Sequence, residues 1–156
     1  MILSATGIQA QKIAHVNYAE LLSMMDGVKA ADAALQKYAN ELETMNQKML
    51  SEYQTKRKDY EQKSGLMTDL VRETTEKEIF DLEARIQEFQ QSAPQKIQEH
   101  KEEKYKPIFE KAKAAVQEVA KEKGYDYVFD ISLGSILFAK DSYDILGDVK
   151  KKLDIQ

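Results

Sequence analysis

Apolar residues recur at alternating steps of three and four along most of this chain. From Val28 the series continues through Ala31, Leu35, Tyr38, Leu42, Met45 and Met49. A second series begins at Ile79 and runs through Leu82, Ile86, Phe89 and Ala93. Nearly every other position carries a charge or an amide, the pattern of a coiled-coil seam. Two such stripes separated by a short polar stretch around Gly65 predict two long helices folded back on each other. Roughly 30 residues per helix at ~1.5 Å each gives an arm of about 45 Å or more.

The stripe is uneven. After Met49 the next apolar positions are Tyr53 and Tyr60, an extra-residue stutter that unwinds a left-handed supercoil locally. Lys56, Arg57 and Lys58 surround those tyrosines, so the outer arm is expected to be thinner and more flexible than the inner arm. Ser64–Gly65 marks the turn. Thr68 and Thr75 are both candidate N-caps. Thr75 has Glu78 three residues on, the spacing of a capping box, so the regular return helix is expected to begin there. Pro94 interrupts the return stripe by removing an amide donor and crowding the carbonyl of Gln90, which predicts a kink or weak spot. Pro107 either kinks the helix again or opens its last segment, Ile108 to Val119, which ends at Lys123–Gly124.

The two ends of the chain read differently. Lys12–Asn17 (KIAHVN) alternates and is β-branched, as a short strand does. Ala19–Met25 then starts a helical pattern that Asp26–Gly27 breaks. Past Gly124, Tyr125–Asp130 (YDYVFD) and Ser135–Ala139 (SILFA) read as two strands of a hairpin, with Gly134 in its turn. Asp144 is placed to cap a last helix whose Ile145, Val149 and Leu153 stack on one side. The expected class is α+β, mostly α. A coiled-coil arm (31–107) stands on a small β-containing head (12–30 with 108–156). Residues 1–11 (MILSATGIQAQ) lack the charged start of a secretion signal. They read either as the remnant of one or as a disordered terminus.

Composition narrows the chemistry. Of 156 residues 32% are charged, the mean hydropathy is −0.59 and the net charge is −4. Interleaved signs argue against nucleic acid as the main partner, because phosphate binding needs a basic face. The absence of cysteine excludes disulfides and thiolate zinc sites. His15 and His100, one on a strand and one on a charged helix face, suggest no shared metal or triad. Asp126, Asp130, Asp141 and Asp144 do not have the spacing of an EF-hand loop. Gly124, Gly134 and Gly147 form no phosphate loop. With no nucleophile–base pair and no carboxylate pair in an apolar setting, the chain is not expected to be an enzyme or to need a cofactor or metal.

A head of about 60 residues without staples rarely stands alone, and its open strand edges invite a neighbour. The head is therefore expected to oligomerise through Ile13, Val16, Tyr127, Val128, Phe129, Ile136, Leu137 and Phe138. On the arm, apolar residues gather off the seam and near the turn. Met45, Met49, Tyr53, Tyr60, Leu66, Met67, Leu70, Val71 and Phe80 read either as arm packing or as soft, shape-tolerant contacts for other chains.

This layout resembles the Skp (OmpH-like) periplasmic chaperones from Lys12 to Leu153. KIAHVN is similar to that family's first strand. VQEVAKEKGYDYVFD is similar to its helix end, glycine and following strand, and DILGDVKKKL to its closing helix. The resemblance implies a periplasmic homotrimer with three projecting arms. The cavity between the arms would hold unfolded outer-membrane β-barrel proteins without ATP, with transient contact at a membrane surface. Family members are often basic, whereas this chain is acidic. The alternative is a structural coiled-coil spacer or assembly factor with one defined partner, which should keep its heptad clean and its outside polar. A cytosolic, prefoldin-like chaperone is a third reading, and the placing of the strands outside the coil suits it less.

Overall fold

The computed structural model describes residues 10–155, so most of the segment 1–11 lies outside the described residues. In chain order the elements are β1 (Ile13–Val16), α1 (Tyr18–Met24), α2 (Asp26–Lys63), a single 3-10 turn (Ser64–Leu66), α3 (Asp69–Lys123), β2 (Tyr127–Asp130), a second 3-10 turn (Asp141–Tyr143) and α4 (Leu146–Lys152). The protein is mostly helical with one small strand pair. Its described residues divide into two compact units, residues 10–30 with 105–155 and residues 31–104.

The first unit, the head, is built on β1. Its partner is β2, in parallel, with Ile13 opposite Tyr127 and Val16 opposite Asp130. Parallel neighbours need a long crossover connection, and here everything from α1 to α3 supplies it. Hydrogen bonds extend the ladder at both ends: Asp126 N donates to Lys12 O at 2.7 Å and Ile131 N to Val16 O at 3.0 Å. On the opposite edge of β1, Ile145 N donates to His15 O at 3.0 Å. β1 is therefore central, and Ala14, His15 and Val16 are all buried. Being flanked on both edges buries three of its four residues, and Ile13 at its start stays exposed.

Tyr125–Asp130 and Ser135–Ala139 do not form a hairpin. Asp130 Oδ1 accepts from Ser132 N at 2.8 Å, and Ile131 N is already committed to Val16. The chain then crosses to the far edge of β1, where Lys140 O meets His15 Nε2 and Ile145 N meets His15 O. A segment that must span from one edge of β1 to the other cannot also lie along the free edge of β2. Residues 135–139 are accordingly not a strand.

Helices close the head. Asn17 caps α1, its Oδ1 accepting from Glu20 N at 3.1 Å. The break before α2 falls at Met25, which is extended (ψ 123°), one residue ahead of the Asp26–Gly27 expected from sequence. Gly27 lies inside the first turn of α2, where a Cβ would sit 3.3 Å from Ile108 Cγ1. Leu21, Met25, Ile108, Ala112, Ala115, Val119, Ile145 and Val149 pack with Ala14 and Val16 as the core. α3 ends in a Schellman motif: Gly124, at φ +67°, donates to Lys121 O, and Tyr125 N donates to Ala120 O. Asp144 Oδ1 accepts from Leu146 N at 2.8 Å at the start of α4.

The second unit, the arm, comprises Ala31–Lys104. Its helices are antiparallel, since cross-helix partners fall on α3 as they rise on α2. Tyr38 stacks on His100 with centroids 4.3 Å apart, Asn46 accepts from Gln90 at 3.2 Å, Lys56 pairs with Glu78, and Tyr60 bonds Glu76. Only Ala31, Leu42, Leu82 and Ile86 are buried in this unit, so the seam is thin. His100 is not on a solvated charged face; it continues the stripe of the return helix and shields one side of its ring on Tyr38. The return helix begins at Asp69 rather than at Thr75. Thr68 O accepts from Arg72 N at 2.9 Å and its hydroxyl lies 3.4 Å from Val71 N. Thr75, well inside α3, returns its hydroxyl to Val71 O at 2.8 Å. α3 continues as one helix through Pro94 and Pro107.

Candidate functional site

Two exposed apolar surfaces stand out, one in each unit. In the arm, the turn gathers the most exposed groups. Leu66 is 92% and Leu70 75% accessible, Val71 is exposed, and Met67 is half-buried. The cause is local. The 3-10 turn and the first turn of α3 occupy so few residues that no opposite stripe exists for them to pack on.

Further along the arm, Tyr53, Tyr60, Ile79 and Phe80 line a groove of about 470 Å³, bordered by Arg57, Glu61, Glu76 and Glu83. Phe80 sits one position beyond the seam residue Ile79 and is 70% exposed. Tyr53 and Tyr60 are half-buried and keep their hydroxyls occupied. Arg57 donates to Tyr53 Oη at 3.3 Å and to Glu61 at 3.2 Å, while Tyr60 donates to Glu76. The bond to Glu76, with lesser help from desolvation and the Glu76 charge, raises the Tyr60 phenol above its ordinary range. The aromatic rings are thus held in orientation at a rim that remains open. Met45 is half exposed, and Met49 is half-buried.

The sequence-predicted arm residues therefore form a tip group (Leu66, Met67, Leu70, Val71) and a mid-arm group (Tyr53, Tyr60, Phe80). Met45 and Met49 belong to neither.

In the head, Ile13, Phe129, Ile136 and Phe138 line a second groove of about 700 Å³, together with His15, Ala139 and Tyr143. Phe138 is 81% and Leu137 95% accessible; Ile13, Tyr127 and Phe129 are also exposed. The Tyr127 and Phe129 rings stack at 6.3 Å. Val16, by contrast, is a core residue, and Val128 is half-buried. Sequence reasoning missed Leu133, at 78% exposure, and Tyr143. Leu133 falls where the sequence predicts a hairpin turn, and Tyr143 has no periodic neighbours to mark it. His15 Nε2 lies 3.0 Å from Lys140 O, and since a carbonyl only accepts, Nε2 carries the proton; Nδ1 is buried without a partner among the described residues.

Among the described residues no group of three His, Cys, Asp or Glu side chains is arranged to hold a metal ion. No helix among them is long and apolar enough to cross a membrane. What both surfaces offer is apolar contact area on a charged, solvated scaffold.

Comparison with known proteins covers the same span. The profile of the family described as outer membrane protein (OmpH-like) matches residues 12–153. A crystal structure of a candidate outer membrane chaperone (OmpH-like) from Caulobacter crescentus CB15 superposes with a TM-score of 0.75. That match covers 95% of this chain and 86% of the other at 13% identity, so the likeness is one of fold. No curated protein matches by sequence.

Proposed function

Because this chain belongs to the OmpH-like family, matched from residue 12 to residue 153, we propose that it is a holdase chaperone for unfolded outer-membrane β-barrel proteins. It works without nucleotide and in the periplasm. One observation carries the proposal: large apolar side chains are displayed on the arm where a spacer would keep them inside. Phe80 at 70% and Leu70 at 75% exposure, with Leu66 and Met45, give an unfolded chain several weak contacts along a polar scaffold. Such contacts are individually small and adapt to many sequences, which is what retention without sequence choice requires. A spacer with one helical partner would instead present a continuous stripe at helical spacing.

The active form in this reading is a homotrimer. The head supplies the reason: Ile13, Phe129, Leu137 and Phe138 leave apolar area in water, and one edge of β2 has no partner strand among the described residues. Copies joined there would set several arms around one cavity. No catalytic step is involved, and release follows from weak multivalent contacts.

The test is an aggregation assay without nucleotide. A β-barrel protein unfolded in urea is diluted into an excess of this protein, and turbidity is followed. Suppression is expected, and it should disappear when Met45–Arg85 is replaced by a short linker. A folded trimer that suppresses nothing would leave the spacer as the better reading. A light-scattering mass of 17.9 kDa, that of one chain, would remove the trimer.

A further inference from the structure

The net charge of −4 is not spread over the molecule. Residues 31–104 carry twelve Lys and Arg against sixteen Asp and Glu, whereas the rest of the chain has eleven of each. Within the arm the tip region 56–77 is nearly balanced. Residues 78–88 of α3, the stretch that borders the mid-arm groove, carry four acids against one cation, Arg85. Glu52, Asp81, Glu83 and Glu88 are exposed, and none has an ion-pair partner among the described residues. Asp81 and Glu88 are one heptad apart on α3 and share a face. Glu83 lies three residues from Phe80, so its carboxylate neighbours the exposed ring and borders the groove. Arg57, the one cation among the residues lining that groove, is matched by Glu61.

We propose that the mid-arm groove selects cationic clients: unfolded segments in which apolar or aromatic residues are interspersed with lysine and arginine. This rests on the holdase reading above and adds the chemistry of what is held. The apolar part of such a segment covers Phe80 and Tyr53. Its ammonium or guanidinium groups meet Glu83 and the neighbouring unpaired carboxylates, and lie over aromatic faces that attract cations. An acidic segment would offer the same apolar contacts and meet like charge. Because these carboxylates are solvent-exposed, the preference is screened by salt, whereas the apolar contribution is not.

The experiment uses the full-length protein and two short, unstructured, fluorescein-labelled peptides. They share one apolar and aromatic framework; every charged position is lysine in one and glutamate in the other. Anisotropy titrations at low salt are expected to show the lysine peptide bound about tenfold more tightly, with the gap closing as sodium chloride is added. The variant carrying Glu52→Gln, Asp81→Asn, Glu83→Gln and Glu88→Gln should lose the preference, and Phe80→Ala should weaken both peptides. If the fourfold variant loses helical signal, Glu83→Lys alone reads the same preference. Turbidity with an unfolded β-barrel protein is run in parallel. Suppression together with equal binding, or tighter binding of the glutamate peptide, overturns the charge selection and leaves the holdase. A preference that survives both carboxylate variants removes the groove as its source. Neither binding nor suppression overturns both readings.

Discussion

The ring of His15 and the carbonyl of Lys140, 125 positions apart in sequence, are joined by a 3.0 Å hydrogen bond. His15 is 93% removed from solvent, and its own carbonyl accepts from Ile145. One residue of the central strand therefore fastens the returning chain at two points. That fastening carries the segment 131–139 away from β2 and leaves Leu137 and Phe138 in water.

Removing the imidazole is expected to loosen this segment and the head together. His15→Ala leaves the Lys140 carbonyl without its donor and opens space on the face of β1 that carries Ile13, beside Phe129. A cost of about 2 kcal/mol follows from a lost buried hydrogen bond plus a small cavity. The check is the urea midpoint at fixed protein concentration, because self-association shifts apparent stability. An unchanged midpoint would mean that the bond contributes nothing to the folded head.

Ala112 and Ala115 are 0% and 4% exposed on α3 and give its inner face the small side chains that close packing requires. Ala112→Leu should cost about 1–3 kcal/mol by overpacking. Ala33→Leu, at an exposed position of α2, should change stability by less than about 0.5 kcal/mol. Comparable thermal midpoints for the two variants would contradict the packing assigned to α3.

Asp130 links stability to pH. Desolvation by burial pushes its carboxyl up, but hydrogen bonds from Ser132 and from the Tyr18 amide outweigh it and hold the group below the usual carboxylate range. A carboxyl with a lowered folded-state pKa stabilises the protein above its unfolded pKa of about 4, and that stabilisation is lost as pH falls through the lower folded value. Urea midpoints should therefore drop more steeply below about pH 4 in the wild type than in Asp130→Asn. Parallel curves would show that the carboxylate is not the linked group.

Much of this architecture was legible in the chain. The stripes from Val28 and from Ile79, the turn at Ser64–Gly65 and the stop at Gly124 are local signals, each readable from a few neighbouring residues. The failures share a cause. YDYVFD and SILFA look like hairpin partners because each has strand composition, yet β2 pairs with a strand more than a hundred residues earlier. Composition identifies a strand but not its partner. The helix start was misplaced because the stripe, not the helix, begins near Thr75; Thr68 caps a first turn that buries almost nothing. The exposure of Phe80 needed the seam to be located first, since one step along α3 separates Ile79 inside from Phe80 outside.

The same thin seam predicts how the arm opens. Past Leu82 the cross-helix contacts become Lys56–Glu78 and Tyr60–Glu76, polar and near water. Few buried apolar contacts mean low local stability, so amides of residues 53–75 should exchange faster than those of residues 108–119 in the head. Thr68→Ala should speed exchange at Val71 and Arg72 further, by the loss of up to about 1 kcal/mol of capping, without moving the global midpoint. Uniform protection along α3 would refute the graded arm.

The tip gives the cleanest separation of holding from folding. Leu66 and Leu70 are so exposed that polar replacements forfeit little packing, and Leu66→Gln with Leu70→Gln should change the stability by less than about 0.5 kcal/mol. If these side chains meet unfolded clients, turbidity suppression should need several-fold more protein. If they only cover the turn, suppression is unchanged and exchange at Met67 and Asp69 quickens instead. Measuring both properties on one variant distinguishes a surface kept for binding from one kept for local order. The holdase reading requires the first outcome at either the tip or Phe80. A tip variant and a Phe80→Ala variant that both suppress turbidity like the wild type would leave the arm without a binding surface.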